Sequence, residues 1–325
     1  MAWRTILRAE APQETLNELR SLFPSDDFEP FQFSELHRSV LSITGVTLDQ
    51  ILSSREQDLD VLDSNGMTPL AWAVERADHA SVKLLLAAGA DANACGFQGR
   101  SPLRLAVSRH DLECIKLLIQ AGSDISQVNY FGRNLFHQSN DSSRFNLDML
   151  ELLLNAGVAI DFPDKDGSTP LCGASSSNHP RLAQFLLERG ADPSIPDNDG
   201  DSVLNNVMFH ASHDCLSVLL QHGAPYDTIN KAGDTILHYA ANHADVHSIE
   251  ILLDFKLKGI DTHTRNHRGK TASQLAWDRI IRPEGFIEAF QALLFEIGVR
   301  HDNARRVEWH SRIVGETSGR SGEGG

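Results

Sequence analysis

The stretch "DSNGMTPLAWAVERADHASVKLLLAAGAD", residues 63–91, contains the local signals that decide how this chain folds. It begins with Asp63 and Gly66, at a spacing typical of a tight turn. Thr68 follows with a side-chain oxygen that can cap a helix, and Pro69 then occupies the first helical position, where its missing N–H group is harmless. The stretch therefore predicts a turn that leads directly into a helix.

The second half of the stretch predicts another helix and the signal that ends it. The apolar residues of "HASVKLLLAAG" recur with the i, i+3, i+4 spacing of two or three helical turns. Gly89 follows at the position that needs left-handed backbone, which glycine adopts without a Cβ penalty. We therefore expect a helix–turn–helix unit, and we expect replacement of Gly89 by valine to cost more stability than replacement of Gly96.

The same signals recur along the chain at a nearly constant interval. Glycines equivalent to the turn glycine stand at 66, 99, 132, 167, 200, 233 and 269, so that successive spacings are 33, 33, 35, 33, 33 and 36 residues. Glycines equivalent to the helix-ending glycine stand at 89, 122, 157, 190 and 223. A period near 33 residues indicates a repeat array, which grows by stacking and so accommodates 325 residues without several separate cores.

These units resemble ankyrin repeats, whose pattern runs D-x-x-G-x-T-P-L-H-x-A and later V-x-x-L-L-x-x-G-A-D. The clearest matches are "NGMTPLAWA", "QGRSPLRLA", "DGSTPLCGA" and "AGDTILHYA". The resemblance implies an all-α solenoid of stacked helix-turn-helix units with β-hairpin-like turns. It also implies a structural hydrogen bond for His37, His137 and His238, which occupy the histidine position of the motif.

The resemblance divides the chain into four segments. Seven recognisable repeats span residues 63–298, and a weaker copy, "FSELHRSVLSITGVTLDQIL", indicates an N-terminal capping repeat over residues 31–62. Residues 1–30 contain one amphipathic pattern and are expected to form a helical extension. Residues 299–325 end in glycine- and serine-rich sequence without an apolar pattern, which predicts a disordered tail.

Composition and charge restrict the classes of function. The formal net charge is −15, whereas nucleic acid and anionic membrane surfaces are bound chiefly through Lys and Arg, so we expect neither as a partner. The sequence shows no secretory signal and no window that approaches a membrane span. The four cysteines lack CxxC spacing, which favours a compartment where thiols stay reduced, the cytoplasm or the nucleus.

No motif predicts catalysis. "RGKT" at 268–271 is the glycine motif of its repeat, because the strand and glycine loop of a phosphate site are missing around it. The pairs His243/His247 and His263/His267 have metal-ligand spacing, but they fall at turns and lack an obvious third ligand. The chain contains neither a GxSxG nor an HExxH motif. We expect no catalytic residue, no cofactor, no metal ion and no small-molecule substrate.

Function is expected at the turn tips and on the exposed face of each first helix, where residues are not needed for folding. Large rings stand at the tips of adjacent repeats, and aromatic and arginine side chains are common anchors of protein interfaces. Two interpretations stay open, because the rings either fold back over the neighbouring turn or bind a partner. The partner-binding interpretation predicts a surface formed by the rings of Phe97, Tyr130 and Phe131, with Arg100 and Arg133 beside them. Arg76 and Arg109 are expected to extend this surface on the first-helix face, where Glu75 is also expected.

These features predict a non-catalytic protein–protein interaction module, a scaffold or adaptor that binds a segment with apolar anchors and acidic side chains along a concave groove. Two alternatives are a regulatory or substrate-recognition subunit of an enzyme complex, such as a ubiquitin ligase, and a transcription coregulator. Lys165, Asp199 and Asp234 belong to the other end of the expected groove and are expected to lie away from the partner-binding surface.

Overall fold

Pairs of short helices joined by tight turns build the fold, as the repeat predicts. The structure is a computed structural model that describes residues 32–53, 57–96, 100–139, 146–279 and 283–298. In these ranges the backbone forms helices and turns, with two isolated antiparallel bridges within hairpins, Ile229 to Thr235 and Arg265 to Thr271. The helices found there are all too short or too polar to cross a bilayer. The all-α prediction is confirmed.

The chain forms two compact units, Met1–Lys165 and Asp166–Gly325. The helices of the first unit are α1 Glu35–Val40, α2 Leu48–Leu52, α3 Pro69–Glu75, α4 His79–Ala88, α5 Pro102–Arg109, α6 Leu112–Gln120, α7 Leu135–Gln138 and α8 Leu147–Asn155. The first helices α1, α3, α5 and α7 pack in series, and the second helices α2, α4, α6 and α8 do the same. The predicted capping repeat and the first three repeats of the array therefore stack in order.

The second unit repeats this arrangement. Its helices are α9 Pro170–Ser176, α10 Pro180–Glu188, α11 Val203–Phe209, α12 His213–Gln221, α13 Ile236–His243, α14 Val246–Asp254, α15 Ala272–Asp278 and α16, residues 286–298. Here α9, α11, α13 and α15 pack in series, as do α10, α12 and α14. The predicted extension over residues 1–30 and the predicted tail over residues 299–325 lie outside the described residues.

The ends of the helices follow the local signals of the sequence. The Thr68 hydroxyl accepts the N–H of Ala71 at 3.0 Å, and Pro69 is the first residue of α3. Gly89 ends α4 with a left-handed backbone, φ 98°. Both predictions are confirmed because each depends on residues within one turn of the chain.

Five of the turns that precede a first helix are closed by one side-chain oxygen. Asp63 Oδ1 accepts the N–H groups of Asn65 and Met67, both at 2.8 Å. Equivalent pairs of hydrogen bonds are made by the side chains of Asn129, Asp197, Asn230 and Asn266. This acidic or amide residue fixes the hairpin without using the two side chains before the turn glycine.

The motif histidines link one repeat to the next hairpin. His37 Nδ1 accepts the N–H of Ser34, so the ring proton lies on Nε2, which donates to the Met67 carbonyl at 2.9 Å. His238 makes the same bond to the Lys270 carbonyl at 3.1 Å. The structural role implied for these two histidines is confirmed, and His137 is likewise buried with its Nδ1 2.8 Å from Asn134 Oδ1.

The structure favours the opposite order of the two glycine substitutions. A Cβ atom on Gly89 would meet nothing within 4 Å, whereas a Cβ on Gly96 would overlap the carbonyl oxygen of Gly66 in the preceding hairpin. Gly96 is therefore required by the close approach of two turns, which sequence signals within a single repeat do not reveal.

We predict that Gly96→Ala lowers the free energy of unfolding more than Gly89→Ala. Gly89→Ala adds only the strain of left-handed backbone, about 1–2 kcal/mol, while Gly96→Ala also forces two turns apart. Urea denaturation of both variants, followed by circular dichroism, compares them. Equal losses would contradict the close approach seen between the two hairpins.

His37 makes the stability of the first repeats depend on pH. Burial lowers the pKa of His37 below its usual value, and the Met67 carbonyl and the Asp63 charge oppose this effect only in part. The unfolded chain consequently binds more protons than the folded chain just below about pH 6.5, and the free energy of unfolding falls as pH drops through that window.

We predict that His37→Gln removes part of this pH dependence. Denaturation measured between about pH 7.5 and 5.5 should show a smaller slope for His37→Gln than for the unsubstituted chain. His263→Gln is the matched control, because the His263 side chain is almost fully exposed. A slope unchanged by His37→Gln would show that His37 does not titrate differently in the two states.

Candidate functional site

Two large rings project from the hairpin that precedes α7. The Asn129 side chain accepts the N–H groups of Phe131 at 2.9 Å and Arg133 at 3.0 Å, and Gly132 completes the turn with φ 78°. Tyr130 is 75% exposed and Phe131 is 60% exposed. The turn backbone is fixed by hydrogen bonds, while both rings remain in solvent.

Two cations flank the rings. The Tyr130 and Phe131 rings meet edge to face with centroids 5.6 Å apart. Lys165 Nζ lies 4.4 Å from the Tyr130 centroid, and Arg133 Cζ lies 5.8 Å from the Phe131 centroid, within cation–π range. We call Tyr130, Phe131, Arg133 and Lys165 the tip cluster.

Lys165 reaches the tip cluster through the backbone of the next hairpin. Its N–H donates to the Phe131 carbonyl at 3.0 Å. The corresponding bond recurs in the second unit between Asn198 and Asp166. Lys165 was expected at the other end of the groove, away from the partner-binding surface. The structure shows that this expectation is wrong, because hairpin-to-hairpin hydrogen bonding places Lys165 over Tyr130.

Arg133 is oriented by a buried carboxylate. Arg133 Nε lies 3.2 Å from Asp164 Oδ2, and the Asp164 side chain is only 2% exposed. The Arg133 carbonyl also accepts a hydrogen bond from Arg104 Nη1 at 3.0 Å. Arg133 therefore has a structural contact on one side and faces Phe131 on the other.

Arg104 binds the backbone of the hairpin that carries the tip cluster. It occupies the motif position held by His37 and His238, and it donates to the carbonyl after the turn glycine as those histidines do. Arg104 and Asp164 were not among the residues predicted from the sequence. The replacement of the motif histidine in "SPLRLA" is the signal that would have identified Arg104.

The remaining predicted residues do not join the tip cluster. Phe97 lies outside the described residues. Arg100 and Arg109 are exposed. Arg76 is half-buried and donates to the Leu41 carbonyl at 3.1 Å, which ties α3 to the end of α1. Glu75, expected on the exposed first-helix face, is buried, because the end of α3 packs inside the stack.

A second exposed ring, Phe209, was not predicted. It is 56% exposed at the end of α11, and its ring lies 4.9 Å from that of His243 and 5.1 Å from that of His210. The equivalent positions of α3, α5, α9 and α13 hold Glu75, Ser108, Ser176 and Asn242. A phenylalanine at a position that these four helices fill with polar residues is the sequence signal for this feature.

Comparisons with known proteins agree with the repeat architecture. A family model described as "Ankyrin repeats (3 copies)" matches residues 36–129, and two described as "Ankyrin repeats (many copies)" match residues 153–205 and 206–253. No curated protein matches the sequence.

Among solved structures, the chain is similar to the ankyrin repeat domain of Bcl-3, described as a unique member of the IkappaB protein family. That match has 25% identity and a TM-score of 0.62, and it covers 69% of this chain and 99% of that domain. The human ASB11 ankyrin repeat domain matches with 24% identity and a TM-score of 0.56, covering 70% of this chain and 98% of that domain. At that identity the ASB11 likeness concerns the fold alone.

We predict that Arg133→Ala destabilises the protein while Arg109→Ala does not. Loss of the guanidinium removes a charged partner from the buried Asp164 carboxylate and should cost about 1–2 kcal/mol, near the low end because Arg133 is half-exposed. Arg109 is exposed, so its removal should change the free energy of unfolding by less than about 0.5 kcal/mol. Urea denaturation measures both, and equal values would exclude a stabilising Arg133–Asp164 pair.

Proposed function

We propose that this chain, which belongs to the ankyrin-repeat family, is a non-catalytic protein-binding module that docks its partner on the tip cluster. Ankyrin repeats are protein-interaction modules. The observation that carries the proposal is the exposure of Tyr130 and Phe131 on a hairpin whose backbone hydrogen bonds are already satisfied. Neither ring is needed to close that turn.

The tip cluster has the composition of an interface anchor. Tyr and Arg are enriched among the residues that contribute most to binding, and a ring on a fixed turn loses little conformational freedom when a partner covers it. The sequence left open whether the rings cover neighbouring backbone. Their exposure to solvent favours the partner-binding interpretation.

The charges of the tip cluster indicate the chemistry of the ligand. Lys165 and Arg133 present two cations beside the rings, so the ligand we propose is a segment with apolar anchors and acidic side chains. Arg100 and Arg109 are exposed on the preceding repeat and extend the basic character of the proposed surface. The net charge of −15 disfavours binding of such a ligand elsewhere on the chain.

Two classes of biological role are compatible with this proposed function. As a scaffold or adaptor, including a transcription coregulator, the chain would bind non-enzymatic partners. As a regulatory or substrate-recognition subunit, it would co-purify stoichiometrically with an enzyme such as a ubiquitin ligase. All four cysteines are free thiols, and three of them are buried, which supports our placing the protein in the reducing cytoplasm or nucleus.

We predict that the double substitution Tyr130→Ser and Phe131→Ser weakens partner binding at least about thirtyfold, the equivalent of about 2 kcal/mol. Proximity labelling identifies the partner, and the affinity is then measured by calorimetry with purified proteins. Lys165→Ser should weaken binding less than the double substitution, and more at low than at high ionic strength.

The matched control is Asn198→Ser with Asp199→Ser. These exposed residues occupy the same two positions before the turn glycine of their own hairpin, so the control alters an equivalent turn without touching the tip cluster. Its affinity should stay within about twofold of the unsubstituted chain. Unchanged binding by the Tyr130 and Phe131 variant, with an intact circular dichroism spectrum, would place the docking surface elsewhere.

A further inference from the structure

Three side chains with different donor atoms converge where α4 meets α6. His79 is the first residue of α4, Asp111 is the N-cap of α6, and Cys114 lies one turn into α6. The imidazole nitrogen, a carboxylate oxygen and the sulfur all lie within 4.8 Å of one another. His79 Nε2 is 2.8 Å from Asp111 Oδ2.

This donor set matches one class of metal ion. Zn²⁺ binds thiolate sulfur, imidazole nitrogen and carboxylate oxygen, commonly with three protein ligands and one open position. The buried Cys114 supplies a soft ligand that Mg²⁺ and Ca²⁺ do not select, while the partly exposed His79 leaves a side open to solvent. We propose that His79, Asp111 and Cys114 form a site for Zn²⁺ or a similar thiophilic divalent cation.

The chain contains a natural comparison in the second unit. His213 Nε2 lies 2.8 Å from Asp245 Oδ2, with the same spacing along the sequence as His79 and Asp111. Asp245 also caps its helix, but Ser248 stands where the first unit has Cys114. The histidine–aspartate contact thus links consecutive repeats in both units. Only the contact in the first unit has a thiol, that of Cys114, beside it.

The link holds two ligands in place before the metal arrives. Because the repeat interface fixes His79 and Asp111 in contact, binding requires only a small approach of these groups and the Cys114 sulfur toward a common centre. Zn²⁺ displaces the thiol proton to solvent, and the imidazole proton moves from Nε2 to Nδ1. The ion would then join α4 to α6 across two consecutive repeats.

The full chain titrated with Co²⁺ under a phosphine reductant tests this site. Co²⁺ replaces Zn²⁺ and gives a near-ultraviolet charge-transfer absorption when a thiolate is a ligand. We expect this absorption in the unsubstituted chain, and we expect Zn²⁺ to abolish it by competition. Cys114→Ser should eliminate the absorption, and His79→Gln should weaken Co²⁺ binding at least about tenfold.

The controls separate this site from the other thiols and histidines. Cys215→Ser changes the equivalent buried position of α12, and Cys95→Ser removes the exposed thiol, so both should retain the absorption. Ser248→Cys should add a second thiolate site beside His213 and Asp245. The proposal is overturned if the unsubstituted chain shows no thiolate absorption, if Cys114→Ser or His79→Gln binds as the unsubstituted chain does, or if Ser248→Cys adds nothing.

Discussion

At three places in the stack, a buried side chain donates a hydrogen bond to the carbonyl oxygen after the turn glycine of the next hairpin, and this bond joins consecutive repeats. Within the described residues, His37, Arg104 and His238 each make this bond. A single helix–turn–helix unit cannot bury its apolar face alone, so its helices are stable only when the next repeat is held in register. The side-chain bond helps to set this register, and the backbone hydrogen bonds between neighbouring hairpins hold the turn tips in the same register.

The sequence is sufficient for features that depend on neighbouring residues. The cap by Thr68, the left-handed Gly89 and the helix pairs follow from stereochemistry within a few residues, and the structure has them as predicted. The exposure of Tyr130 and Phe131 was one of two open interpretations. The exposure of both rings depends on the turn geometry of Asn129, which the sequence pattern does not contain.

Contacts between residues about 30 positions apart could not be predicted from the sequence of a single repeat. The requirement for Gly96, the burial of Glu75 and the placement of Lys165 over Tyr130 all arise from the stacking distance between repeats. The same holds for the convergence of His79, Asp111 and Cys114, since no metal motif has that spacing. Aligning the repeats and comparing equivalent columns is the route by which such pairs become visible in sequence.

The substitution of Arg104 for the motif histidine has a consequence for acid tolerance. A histidine makes the link while its Nδ1 accepts the N–H of the helix cap, an arrangement that protonation abolishes. A guanidinium remains a charged donor at every physiological pH and has no acceptor to lose. Acidification therefore weakens the link made by His37, whereas the hairpin that carries Tyr130 and Phe131 keeps its support from Arg104.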